Sequence, residues 1–103
     1  MLFPVLLLLA VPVRAGMGLY TAEKLKALQD EGRAVLVHFN SSGCGVCAAQ
    51  LDVLKMLAQE PSPAPEILQA NLGDAEALRR QHDVATPSTL LLFKGSQVIG
   101  KTV

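Results

Sequence analysis

Cys44-Gly45-Val46-Cys47 holds the only two cysteines of this 103-residue chain, and its flanks constrain the fold more than any other stretch. Ahead of it, Ala34-Val35-Leu36-Val37-His38-Phe39 is a short apolar, β-branched run that reads as a buried strand. Behind it, Ala48 to Gln59 has helical periodicity, with Cys47, Leu51, Leu54 and Ala58 along one face. The first cysteine therefore stands where a strand hands over to a helix N-terminus. Unpaired N–H groups and the positive end of the helix dipole gather there. Both favour thiolate over thiol, and the thiolate is the nucleophile. Cys47 lies about one turn further in, within reach of a disulfide to Cys44.

The rest of the chain gives one small α/β domain. Half of the residues are hydrophobic, yet there are three Phe, one Tyr and no Trp, so the core is aliphatic. Nine basic and nine acidic side chains balance. Neither a basic face for nucleic acid nor a charged tail is indicated.

Residues 1–15 read as a segment apart from the fold. Leu2 to Val13 is apolar and uncharged, and Val13-Arg14-Ala15 sets small residues where a signal peptidase reads, before Gly16. The run is shorter than the roughly 20 residues of a membrane span. The expectation is a signal peptide at 1–15, or a retained membrane tether, and a mature domain at 16–103. That expectation makes the protein exported, in the periplasm or cell envelope, where disulfides persist. A membrane is a partner only if the segment is retained.

Within 16–103, Thr21 is expected to cap a helix to about Glu31, with Tyr20 and Leu25 as a hydrophobic staple and Gly32 as the stop. Pro61, Pro63 and Pro65 mark a surface connector. Glu66 to Leu72 reads as a second strand, and Asp74 as the cap of a helix over 75–82. Ser88 to Phe93 reads as a third strand, turned at Lys94-Gly95-Ser96 into a hairpin partner, Gln97 to Val103. Strand–helix–strand units imply parallel pairing with a right-handed crossover, and the last hairpin adds antiparallel strands. The result is a mixed central sheet with helices on both faces and the cysteines at the C-terminal end of a strand.

In these features the chain resembles the thioredoxin superfamily over about residues 19–103. The resemblance rests on Val35-Leu36-Val37-His38-Phe39, on Cys44-Gly45-Val46-Cys47, and on Val84-Ala85-Thr86-Pro87-Ser88-Thr89-Leu90-Leu91-Leu92-Phe93, with Thr-Pro about 40 residues beyond the cysteines. It implies a thioredoxin-like sheet and a proline, Pro87, that is cis and faces the disulfide. It also implies thiol–disulfide exchange with protein thiols or disulfides. Cys44 would be the nucleophile and Cys47 the resolving thiol, with reduction favoured over oxidation and a separate redox partner restoring the pair. Thr86, Pro87, Gly45 and Val46 would meet an extended substrate segment by strand addition. No cofactor and no resident metal are implied.

The chain also departs from the family pattern. His38 stands where the family has a buried acid beneath the cysteines; it either accepts the proton of Cys47 as a general base or merely fills space behind Phe39. Gly43 replaces a tryptophan, and Val46 replaces the proline of many thioredoxin motifs. The usual final helix is expected to be lacking. The alternative function is a non-catalytic module that holds a metal or a partner through the same loop. A metal would need His38 or His82 beside the two cysteines, with copper the ion that suits two thiolates.

Overall fold

The computed structural model describes residues 16–60 and 65–103. The signal-peptide reading of 1–15 and the connector prolines Pro61 and Pro63 lie outside these residues. Five strands and three helices follow in the order β1 (Met17–Leu19), α1 (Ala22–Asp30), β2 (Ala34–Asn40), α2 (Gly45–Ala58), β3 (Glu66–Asn71), α3 (Glu76–Gln81), β4 (Leu90–Lys94) and β5 (Gln97–Thr102). The sheet order is β1-β3-β2-β4-β5. β1 and β2 flank β3 in parallel, while β4 runs antiparallel to β2 and β5 antiparallel to β4.

Alternation along β2 divides the molecule into layers. Val35, Val37 and Phe39 are fully buried and join Leu25 and Leu28 of α1, Leu78 of α3, and Leu91 and Phe93 of β4 in one aliphatic core. His38 points to the opposite face, where α2 lies and Gln50 meets its ring. Helices thus cover both faces, α1 and α3 on one side and α2 on the other. No helix among the described residues is long and apolar enough to cross a membrane.

The local signals act through identifiable bonds. Thr21 caps α1, its Oγ1 accepting from the N–H of Lys24 at 3.0 Å. At the other end Gly32 takes φ +73, Arg33 N–H donates to Leu28 O at 3.1 Å, and Gly32 N–H donates to Gln29 O at 2.9 Å. That pair of bonds is a Schellman closure, which needs a left-handed residue at Gly32. No atom lies within 4 Å of where a Cβ would sit, so Gly32→Ala tests backbone conformation alone. The variant is expected to lose about 1–2 kcal/mol in urea denaturation, and Gly32→Asn to lose less. An unchanged midpoint for Gly32→Ala would contradict the left-handed cap.

Four local expectations are corrected. The edge strand β1 was not anticipated, because three residues carry no periodicity. Its place is secured by the parallel pairing of Met17 with Ile67 and Leu19 with Gln69. Asp74 does not cap α3: Ala75 holds the cap position without a side-chain bond, and Asp74 accepts from Asn71 Nδ2 at 3.4 Å. Ser88 is outside β4, in a turn at φ +66. Finally, strand–helix–strand implied parallel pairing throughout, and this holds for β2–α2–β3 but not for β3–α3–β4. A six-residue helix spans about 9 Å, too little to carry the chain back along strands of about 20 Å. β4 therefore starts at the end of the sheet where β3 stops, with Leu90 opposite His38, and runs the other way.

Candidate active site

The cysteines lie where β2 ends and α2 begins. Cys44 is the N-cap of α2, with extended backbone (φ −89, ψ 101), and its Sγ accepts the N–H of Cys47 at 3.0 Å. Its carbonyl takes the first helical bond, from Ala48 N–H at 3.2 Å. A side chain at this position faces the unpaired N–H groups of the first turn. Cys47 lies inside that turn, and the two sulfurs form a disulfide across a Cα–Cα distance of 5.2 Å. The two differ sharply in access: Cys44 is half-buried, and Cys47 is 1% exposed. Gly45 and Val46, between them, are exposed.

The residue ahead of the pair explains one departure from the family pattern. Gly43 has φ +74, a conformation any L side chain adopts at a cost. A tryptophan on this backbone would be strained even though the space is open. Beside the disulfide lies a recess of about 500 Å³, lined by Asn40, Ser41, Gly43, Cys44, Ala48 and Leu51 among others. No cation lines it.

Phe39 joins the disulfide to the loop that follows α3. Its N–H donates to Thr89 O at 2.9 Å, and its carbonyl accepts the N–H of Ser88 at 2.8 Å. Cys47 Sγ lies 3.7 Å from the same carbonyl, a distance at which a reduced thiol can donate to it. Thr89 Oγ1 donates to Thr86 O at 2.8 Å, closing the turn that holds Thr86 and Pro87. The structure therefore brings the loop of Thr86 and Pro87 to the end of β2 that carries the cysteines. Thr86 is exposed, and Pro87 half-buried.

His38 is fully buried, and its two ring nitrogens are both engaged. Nδ1 lies 2.9 Å from Gln69 Oε1, and Nε2 lies 2.8 Å from Gln50 Oε1. Neither hydrogen-bonds to a sulfur. His82, the other histidine, ends α3 and stacks edge-on against Phe93 at 5.4 Å. Burial and then the Lys101 ammonium hold it below the ordinary imidazole value, against the opposing pull of Asp83. Lys101 joins Arg79 and Arg80 of the last turn at the end of α3, its Nζ donating to the carbonyls of His82 and Asp83 at 3.0 Å each. Among the described residues, no three His, Cys, Asp or Glu side chains converge as a metal site.

Gln50 and Gln69 were not singled out in the sequence. The signal was present: Gln50 is three residues past Cys47 and four before Leu54, a polar residue on the buried stripe of α2. Gln69 follows Ile67-Leu68 within an apolar strand.

A mixed five-stranded sheet with a Cys-x-x-Cys disulfide at the first turn of a helix defines a thioredoxin-like protein, and comparison with known proteins agrees. No protein-family model matches the chain. A thioredoxin from Chlorobaculum thiosulfatiphilum is 30% identical over 74 residues, covering 72% of this chain and 68% of the relative. The crystal structure of Trxlp from Edwardsiella tarda EIB202 superposes with a TM-score of 0.78 at 25% identity, over 85% of this chain and 86% of that one. The thioredoxin of Fasciola hepatica superposes with a TM-score of 0.71 at 25% identity, over 84% of each. The chain belongs to the thioredoxin superfamily.

Proposed function

We propose that this protein is a thiol–disulfide oxidoreductase that reduces disulfides of protein substrates, with Cys44 as nucleophile and Cys47 as resolving thiol. One observation carries the reading: Cys44 is only half-buried and its Sγ accepts a helix N-terminal N–H, while Cys47 is fully buried. In the dithiol form the Cys44 thiolate attacks one sulfur of a substrate disulfide. The substrate S–S bond breaks, a Cys44–substrate disulfide forms, and one substrate thiolate leaves with the electron pair. Cys47 then loses its proton and attacks Cys44 Sγ. The second substrate thiolate departs, and the Cys44–Cys47 disulfide remains. Two electrons have passed to the substrate, and a dithiol redox partner must return them.

The surroundings of the thiolate support that direction. A strongly stabilised thiolate favours the dithiol form and makes such a protein an oxidant. Among the described residues, the recess beside Cys44 offers no cation to add to the helix terminus, which supports a reductant. The apolar run Leu2–Val13 and the small residues before Gly16 support an exported, periplasmic or cell-envelope location.

The reading is tested on the reduced protein. Iodoacetamide at neutral pH is expected to label Cys44 well before Cys47, by peptide mass spectrometry. Catalysed insulin reduction with dithiothreitol as donor is expected to vanish in Cys44→Ser. Faster labelling of Cys47 would reverse the roles, and an inactive wild type would remove the exchange reading.

A further inference from the structure

We infer that Gln50 is a positioning residue for the exchange reaction: it anchors the loop of Thr86 and Pro87 to the buried ring of His38. The inference rests on the exchange reading above and names a residue which that reading does not use.

The carboxamide of Gln50 makes two bonds in opposite directions. Its Nε2 donates to Ser88 O at 3.1 Å, and its Oε1 lies 2.8 Å from His38 Nε2. Ser88 O can only accept, so the orientation of Gln50 is fixed. His38 must then present an N–H from Nε2. A neutral imidazole has one N–H and one lone pair, which leaves the lone pair on Nδ1, where Gln69 stands. With Oε1 toward Nδ1, Gln69 faces an acceptor with an acceptor and leaves its Nε2 buried without a partner. Turned over, Gln69 donates from Nε2 to Nδ1 and the clash of two acceptors is removed. The other assignment sets two acceptors, Gln50 Oε1 and Gln69 Oε1, against a ring with one N–H. Gln69 therefore fixes the ring, the ring fixes Gln50, and Gln50 reaches the loop.

This chain of bonds leaves His38 no lone pair to offer Cys47, so its service to the site is mechanical. The loop it reaches needs holding. Ser88 is a non-glycine residue at φ +66, a conformation that persists only where its surroundings impose it. The Phe39 carbonyl grips Ser88 through its N–H, and Gln50 grips it through its oxygen. Between them they fix the two peptides that flank Ser88, directly after Pro87. The backbone edge at Thr86 is thereby held in place for an extended substrate.

Gln50→Glu separates this role from simple packing. The carboxylate nearly matches the amide in size and still accepts from His38 Nε2, but it has no proton for Ser88 O. Gln50→Met removes both bonds. The experiment compares the full-length variants with wild type on insulin and on the small disulfide 5,5′-dithiobis(2-nitrobenzoate), which pairs with no backbone edge. With Gln50→Glu, KM for insulin is expected to rise about tenfold, the worth of one hydrogen bond, with kcat little changed. Attack on the small disulfide is expected to fall by less than about twofold. Amide hydrogen exchange at Ser88 and Thr89 is expected to quicken in both variants, including under conditions where Gln50→Met is partly unfolded. A wild-type KM for insulin in Gln50→Glu, equal losses on the two disulfides, or unchanged exchange at Ser88 would each overturn the positioning role alone. A wild type inactive on both disulfides would overturn the exchange reading and this inference with it.

Discussion

Cys47→Ser is expected to stop turnover and to trap a substrate on Cys44. The N-cap geometry of Cys44 does not depend on the Cys47 sulfur, because the group that bonds Cys44 Sγ is the backbone N–H of residue 47. First attack on a substrate disulfide should thus proceed at close to the wild-type rate. Resolution is lost because the second nucleophile is gone. A buried thiol held beside the mixed disulfide acts at a very high effective concentration, and millimolar external thiol replaces it poorly. Steady-state insulin reduction should fall by at least on the order of 10³-fold. Non-reducing electrophoresis should show a covalent adduct that disappears with dithiothreitol, and peptide mapping should place it on Cys44. Failure to accumulate an adduct, with turnover preserved, would mean that Cys47 is not the resolving thiol.

Phe39→Ala is expected to have the largest effect on stability. The ring is fully buried in the core cluster, and removing such a ring costs about 3–5 kcal/mol. Small domains have total stabilities of about 5–15 kcal/mol, so this variant should be partly unfolded at ambient temperature. Tm should fall by on the order of 20 °C. Phe39→Leu, which keeps most of the volume, should cost less than about 1.5 kcal/mol. Comparable losses for the two, or a loss under about 1 kcal/mol for Phe39→Ala, would contradict burial of the ring. The backbone of Phe39 also bonds Ser88 and Thr89. Folded Phe39→Ala molecules should therefore keep the loop anchored, and activity per folded molecule should change less than stability does.

Much of this organisation was legible in the sequence because the signals were local. The cysteine spacing, the β-branched run before it and the helical stripe after it are short-range patterns, as are the Thr21 cap and the Gly32 stop. Each survives in the structure because tertiary packing agrees with it. What was illegible depends on long-range geometry. Nothing between Glu76 and Phe93 states that α3 is too short for a crossover, and the reversed β4 follows from comparing its length with that of β3. Ser88 carries no turn signal of its own, and its left-handed backbone is imposed by two partners, Phe39 and Gln50, from other elements. The same holds for His38. Its place in the pattern left open a proton carrier for Cys47 or a ring that only fills space. Only the positions of Gln50 and Gln69, 12 and 31 residues away, show that both ring nitrogens are already occupied. The two glutamines looked like ordinary polar positions because their partners lie outside the window over which periodicity operates.

The direct opposition of His38 and Gln69 in the parallel pairing of β2 with β3 bears on folding fidelity. Aliphatic strands such as these offer little to distinguish one alignment from its neighbour, since Val, Leu and Ile fit many registers. A slip of one residue would swing His38 or Gln69 through to the wrong side of the sheet. There, in the aliphatic layer of Leu25, Leu28 and Leu78, the ring or the carboxamide would find no partner. Each orphaned group would cost about 1–3 kcal/mol, a substantial share of what holds a domain of this size together. A small polar cluster in an otherwise greasy layer thus acts as a key that only one alignment of the two central strands can turn.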